Sequence, residues 1–258
     1  MHKTKSYPIF VVIRFLIKLF YPKIEVVGLE NLPDEPAVVV ANHCQMNGPI
    51  SCELYFPGDR AIWCAGQMKK TKEVPAYAFQ DFWSGKSKYT HWFYRLLSFL
   101  IAPVASCIFN NAHTIAVYRD SRIISTFKNT VKALSGGANV VIFPECYDEY
   151  NHIVHRFQEN FIDIAKLYYK RTGKELQFCP MYIAPRLKKM YIGQPIRFDH
   201  QADMEAERHR ISTCLMDAIT KIAVELPEHL VVPYPNISSK LYTTNVPKEV
   251  TEHEETRH

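Results

Sequence analysis

Short apolar runs rich in β-branched residues recur along this chain and alternate with segments of helical periodicity. The five runs are residues 24–27, 37–41, 114–118, 139–143 and 178–184. Such runs are typical of buried strands, and helices between them allow neighbouring strands to pair in parallel. The alternation predicts a single-domain α/β fold in which a mixed, largely parallel sheet is flanked by helices.

Helical periodicity is clearest between the third and fourth runs. Ile123, Phe127, Val131 and Leu134 lie on one face there, and Gly136 follows as a stop signal. Residues 157–168 and 211–226 show similar spacing. No linker or repeat divides the chain, so we expect one domain over residues 23–232. Residues 233–258 mix proline, serine, threonine and charge without periodicity, which predicts a polar, flexible tail.

The N-terminal residues 7–21 are almost entirely apolar, but Arg14 and Lys18 interrupt them. The segment is shorter than the roughly 20 residues that a spanning helix needs. The two basic residues are four apart and share one side of a helix. The other side carries Phe10, Ile13, Ile17 and Phe20. This pattern predicts an amphipathic, membrane-facing helix within residues 1–22. The alternative is a helix packed on the protein's own core.

A second apolar stretch, residues 92–109, is broken by Arg95 and Pro103. These two residues make it a poor membrane span. Three interpretations stay open: the lining of an acyl-chain groove, a helix that dips into one leaflet, or a buried core helix.

Charge and cysteine content limit the class of protein. The net charge is +5, and no nucleic-acid-reading motif accompanies it, so we expect membrane lipids as partners and no nucleic acid. The seven cysteines form an odd set without C-x-x-C spacing, which favours a reduced compartment and argues against a structural metal. We therefore expect a cytoplasmic protein, peripheral or monotopic at the inner face of a membrane, with no metal ion.

A histidine lies where an apolar run ends. His43 follows residues 37–41, and Pro49 marks the start of a helix just beyond it. Open α/β sheets place their sites at the carboxyl ends of strands. His43 is therefore a candidate site residue, although a histidine beside a turn is also explained by solvation or capping.

Four short segments each follow or complete a predicted strand. They are Asn42-His43, Tyr118-Arg119-Asp120, Phe143-Pro144-Glu145 and residues 180–185. If the strands are parallel, these segments meet at one edge of the sheet. In order and spacing, together with the lead-in at residues 27–33, they resemble the blocks of the glycerolipid acyltransferase superfamily. The resemblance extends over about residues 24–198.

The resemblance implies a function and a set of site residues. The protein would move a fatty acyl group from acyl-CoA or acyl carrier protein, as co-substrate and without a cofactor, to a hydroxyl of a lysophospholipid or related glycerolipid. His43 would be the general base, and Arg119 would bind the acceptor's phosphate. The full substrate-binding set is Asn42, Gln45, Tyr118, Arg119, Phe143 and Pro144.

The sequence departs from the family pattern in two places. Gly48 stands where the family has the aspartate that orients the histidine, and Cys146-Tyr147-Asp148 replaces a glycine- and arginine-bearing turn. Loss of an orienting carboxylate is costly in histidine catalysis. Asn47, Glu145 and Glu53 are candidates to hold His43, with Asn47 favoured by proximity and Glu145 by charge. The predicted catalytic set is therefore His43, Asn47 and Glu145.

Three other interpretations stay open. The chain could be a lipid-binding relative that has lost catalysis with the aspartate. It could instead acylate an amine or an acceptor without phosphate. A thiol nucleophile at Cys44 or Cys146 would give an acyl-enzyme route, although ordinary buried thiols explain both cysteines better.

Overall fold

A computed structural model describes residues 6–118 and 120–246 of the chain. The described helices are α1 Tyr7–Phe20, α2 Asn47–Tyr55, α3 Val74–Ala78, α4 His91–Asn111, α5 Ile123–Ser135, α6 Asp163–Thr172 and α7 Met204–Val224. The described strands are β1 Glu25–Val27, β2 Val38–Ala41, β3 Arg60–Ala65, β4 Thr114–Val117, β5 Asn139–Ile142, β6 Glu145–Glu149, β7 His155–Phe157, β8 Gln177–Ala184, β9 Lys189–Ile192 and β10 Ile196–Arg197.

The central sheet has the order β1-β9-β8-β2-β5-β3-β4, with β10 paired to β8. The run from β8 to β4 is parallel throughout, whereas β9 and β10 pair antiparallel to β8. The predicted mixed, largely parallel α/β sheet is confirmed, and all five apolar runs form strands. β3 was not predicted, because its sequence RAIWCA is only half-buried and carries Arg60 at its start.

Alternating residues of the central strands build two cores, one on each face of the sheet. In β2, Val38 and Val40 face the core formed with α5, α6 and α7, and Val39 and Ala41 face the opposite core. All four β2 residues are fully buried. The strand that precedes His43 therefore has no freedom to shift its register.

α1 packs against α4, and both leave apolar side chains exposed. On α1 these are Ile9, Val11, Val12, Phe15, Leu16, Leu19 and Phe20. On α4 they are Trp92, Phe93, Leu96, Phe99, Leu100 and Val104. We call this surface the apolar helix face. α4 with its preceding turn, Lys88–Asn111, is long and apolar enough to cross a membrane by length and composition, with a mean hydropathy of 1.6 and about 28% of that window buried.

The predicted orientation of α1 was wrong in part. Phe10 is buried, and Ile13 and Ile17 are half-buried against the protein. Arg14 lies on the same side, where it pairs with Glu53 at 3.3 Å. Burial of Phe10 and the Arg14–Glu53 pair thus fix which side of α1 faces outward, and the outward side is the more apolar one.

Residues 233–246, which we call the C-terminal strap, pack back on the domain. Asn245 is fully buried, and its side chain donates to the carbonyls of Ala223 and Leu226. The side chain of Asn236 donates to the carbonyl of Asp81 at 3.3 Å. The tail predicted over 233–258 therefore has fixed contacts up to residue 246, and its remainder lies outside the described residues.

Candidate active site

The turn after β2 places His43 at the carboxyl edge of the sheet. Cys44 and Gln45 follow in left-handed backbone conformations, with φ of 48° and 55°. Left-handed conformations are unfavourable for residues with a side chain, so the surrounding contacts must hold this turn. The backbone N–H of Gly48 donates to the His43 carbonyl at 3.1 Å, which closes the turn and lets α2 begin at Asn47.

Position 48 requires a glycine because its surroundings leave no room for a side chain, not because of its backbone angles. A Cβ at this position would lie 2.4 Å from the His43 carbonyl oxygen and 2.9 Å from Cε1 of Phe143. Both distances are shorter than van der Waals contact. An aspartate cannot stand at position 48 in this turn.

Two aromatic rings contact the imidazole of His43. The ring centroids of Phe143 and Tyr234 lie 5.2 Å and 5.7 Å from it, both edge-to-face. Nδ1 of His43 is buried and makes no well-formed hydrogen bond with a described residue. Burial lowers the pKa of His43 to about 4, and a backbone hydrogen bond with Gln45 partly opposes this shift. The histidine is therefore neutral at physiological pH, and it retains part of its surface open to solvent.

The Glu145 carboxylate contacts the backbone of His43 rather than its ring. Its Oε2 accepts the His43 backbone N–H at 2.5 Å, and its Oε1 accepts that of His155 at 3.0 Å. Glu145 is 4% exposed, and burial raises its pKa to about 7 while the two N–H donors oppose the rise. Adjacent β2 and β5 bring the pair together as the strand-end argument predicted. The carboxylate fixes the main chain of His43, not its ring.

The other two candidates for orienting His43 have different partners. Oδ1 of Asn47 accepts from the Tyr21 hydroxyl at 3.2 Å, and its Nδ2 donates to the Cys44 carbonyl at 3.1 Å. Asn47 therefore stabilises the turn and does not accept the ring N–H, contrary to the prediction. Glu53 forms ion pairs with Arg14 and Arg60, so it does not serve the site.

Three residues predicted to bind substrate instead form hydrogen bonds within the protein or are buried in it. The buried Asn42 accepts from the backbone N–H of Ile183 at 2.7 Å and donates to its carbonyl at 3.1 Å, which ties β2 to β8. Gln45 donates to the Pro235 carbonyl at 3.0 Å, and Pro144 is buried. Phe143, by contrast, lines the site beside the imidazole. Cys44 is fully buried and its pKa is raised, which agrees with the interpretation as a buried thiol.

Tyr118 lies at the other end of the same sheet edge, beside a polar cavity of about 460 Å³. Lys69 and Lys70 contribute to its lining, and Arg122 stacks over the Tyr118 ring at 3.9 Å. Lys69 donates to the carbonyl and the hydroxyl of Thr114, and burial lowers its pKa. Among residues 6–118 and 120–246, no carboxylate pairs with Lys69. Arg119, predicted to bind phosphate, lies outside the described residues.

Sequence reasoning missed Lys69 and Tyr234. Lys69 follows β3, and recognition of that strand would have placed it at a strand end. Tyr234 reaches His43 from 191 positions along the chain, and nothing in the local pattern signals that contact.

No protein-family model matches the sequence, and no curated protein matches it. Among solved structures, a 1-acyl-sn-glycerophosphate acyltransferase from Thermotoga maritima is similar to this chain, with 17% identity and a TM-score of 0.45. The similarity covers 84% of this chain and 80% of that one.

Proposed function

We propose that the protein is an acyltransferase that moves a fatty acyl group from acyl-CoA or acyl carrier protein to a hydroxyl of a lysophospholipid. The observation that carries this proposal is the neutral His43, held at the carboxyl end of β2 by the Glu145 carboxylate and exposed in part to solvent. A neutral imidazole at a fixed position is what a general base requires.

The proposed reaction needs no covalent enzyme intermediate. The acceptor hydroxyl gives its proton to Nε2 of His43 while its oxygen attacks the thioester carbonyl carbon. The tetrahedral intermediate collapses, the carbon–sulfur bond breaks, and the leaving thiolate takes the proton from His43. A pKa of about 4 makes His43 a weaker base than an ordinary histidine, so correct placement of the hydroxyl has to supply much of the acceleration.

The cavity at Lys69 is the proposed site for the acceptor's phosphate. An ammonium without a carboxylate partner attracts an anion, and a half-buried one does so more strongly than a solvated one. The Lys69 ammonium bonds Thr114 at the start of β4, and β4 is three strands from β2, or roughly 14 Å. The proposed acceptor has to span that distance. Arg119, next to Tyr118, is proposed to assist.

The apolar helix face is the proposed membrane contact. Exposed apolar surface of this extent marks an interaction site, and α1 alone is too short to span a bilayer. Tyr21, directly after α1, donates to Asn47 beside the active-site turn. The face therefore adjoins the site. We propose a peripheral or monotopic protein on the cytoplasmic side.

Thiol release from acyl-CoA in the presence of lysophospholipid vesicles tests the activity. We expect His43→Ala to lower the rate by about 100-fold or more, the usual contribution of a general base. His209→Ala is the matched control, because the side chain of His209 is 72% exposed and lies on α7, where it contacts Glu159. Equal rates for His43→Ala and the parent would contradict the assignment of the base.

A lipid-binding protein without catalysis is the second candidate. The buried Nδ1 of His43 favours it, since no described side chain accepts a hydrogen bond from this atom. This candidate predicts binding to lysophospholipid vesicles without thiol release in the parent. A third candidate, an acyltransferase for an amine or a phosphate-free acceptor, predicts that Lys69→Ala changes nothing.

A further inference from the structure

His43 lacks the support that a histidine base usually receives. A carboxylate or amide normally accepts the N–H of the second ring nitrogen and thereby fixes the ring. Here Nδ1 has no such partner among the described residues, and position 48 has no space for a side chain. With no described side-chain acceptor at Nδ1, packing contacts become important for the orientation of the imidazole.

Packing contacts are present on two sides of the ring. Phe143 lies 5.2 Å away and Tyr234 lies 5.7 Å away between centroids, both edge-to-face. These distances are typical of favourable aromatic pairs. Phe143 immediately follows β5, whereas Tyr234 belongs to the C-terminal strap. The imidazole is thus held between the sheet and the strap.

The strap is anchored on both sides of Tyr234. Towards the C-terminus, the Pro235 carbonyl accepts from Nε2 of Gln45 at 3.0 Å, and Asn236 bonds to Asp81. On the other side, Val231 and Val232 are buried. Gln45 belongs to the left-handed turn that carries His43. The turn and the strap therefore fix each other's position, and the backbone of Tyr234 is held beside the imidazole.

We propose that Tyr234 is a positioning residue that holds the His43 imidazole in its working orientation and shields Nδ1 from water. It does by packing what a carboxylate at position 48 would do by hydrogen bonding. The expected effect on the rate of turnover rests on the proposed function of His43. The contact between the Tyr234 and His43 rings can be tested without measuring turnover.

Other titratable groups around His43 have to be considered in any titration. The Glu145 carboxylate contacts its backbone N–H, and the thiol of Cys44 is adjacent in sequence. Tyr234 also contacts the rings of His155 and Tyr147 at 5.8 Å and 5.3 Å. Glu145 titrates near pH 7, well separated from a His43 transition near pH 4.

The first test is a histidine NMR titration, with the His43 signal assigned by its loss in His43→Gln. We expect the pKa of His43 to stay low in the parent and in Tyr234→Phe, which keeps the ring. Tyr234→Ala exposes the imidazole, so its pKa should rise by about one unit or more. Tyr242→Ala, on the same strap, is the matched control and should leave His43 unchanged.

Kinetics give the second readout. We expect Tyr234→Ala to lower kcat about tenfold with a change below about threefold in the KM for acceptor, and Tyr234→Phe to restore kcat. If Tyr234→Ala does not fold, Gln45→Ala replaces it, because loss of the bond to Pro235 loosens the strap and should shift the His43 pKa in the same direction. An unchanged His43 titration in the folded variant overturns the proposal, and so does an equal shift in Tyr242→Ala. Absence of thiol release in the parent instead refutes the proposed function.

Discussion

The carboxyl edge of the sheet has two halves of opposite character. At the ends of β2 and β5, His43 contacts two aromatic rings and Glu145 is buried. Along β4, from Thr114 to Tyr118, Lys69 and Lys70 line a polar cavity. The first half lowers the exposure of two titratable groups, and the second offers positive charge.

The contrast between the two halves explains why the base and the anion site lie at separate positions. A cation within about 4–6 Å of an imidazole would lower its pKa further, and His43 is already a weak base. A fully buried ammonium would lose much of its attraction for an anion to the cost of desolvation. Three strands of separation allow each half its own environment.

Gly48→Ala should disrupt the turn that carries His43, and this is the largest effect that we expect. A Cβ would meet the His43 carbonyl at 2.4 Å, so the turn must move. We expect a loss of about 3 kcal/mol in the free energy of unfolding, measured by denaturant titration. Gly85→Ala is the matched control, since nothing lies within 4 Å of its Cβ position. Equal stability of Gly48→Ala and the parent would show that the turn is not tightly closed.

Lys69→Ala should weaken the other half without changing the base. Loss of one charged contact to phosphate corresponds to about 2 kcal/mol, so the KM for a lysophospholipid acceptor should rise about thirtyfold with kcat nearly constant. Steady-state kinetics measure this, with the exposed Lys72→Ala as control. A fall in kcat at constant KM would contradict the division of roles between the two halves.

Glu145→Gln should change the pH dependence, with the smallest effect. Because the pKa of Glu145 is raised to about 7, its carboxylate accepts both N–H groups fully only above that pH. His43, with a pKa of about 4, is neutral throughout pH 6–8. We expect activity in the parent to rise several-fold from pH 6 to pH 8.

In Glu145→Gln that rise should disappear, because the side chain no longer titrates, and activity should be lower at pH 8 because an amide oxygen replaces two acceptors. A pH–rate profile measures both effects. A rise that persists in the variant would assign the titration to another group.

Sequence patterns predicted most of the sheet. They predicted the site only where its residues follow strands that are neighbours in the sheet. The end of β2 meets the end of β5, so the proximity of His43 and Glu145 followed from parallel pairing. β3 was not recognised, because a half-buried strand with Arg60 at its start resembles neither a buried run nor an alternating one. Lys69 was missed with it.

Partners outside the sheet could not be predicted. The side-chain amide of Asn47 is close to His43 in sequence, but its oxygen accepts a hydrogen bond from the Tyr21 hydroxyl. Tyr234 arrives through the strap, whose contacts with Gln45 and Asp81 depend on three-dimensional packing. The sequence showed that position 48 lacks a carboxylate, but only atomic distances show that the turn excludes one.

The tight closure of the turn at Gly48 limits how this chain can change over generations. An acidic side chain at this position would displace the His43 carbonyl before any new hydrogen bond could form. A substitution to aspartate would therefore have to be accompanied by a rebuilt loop.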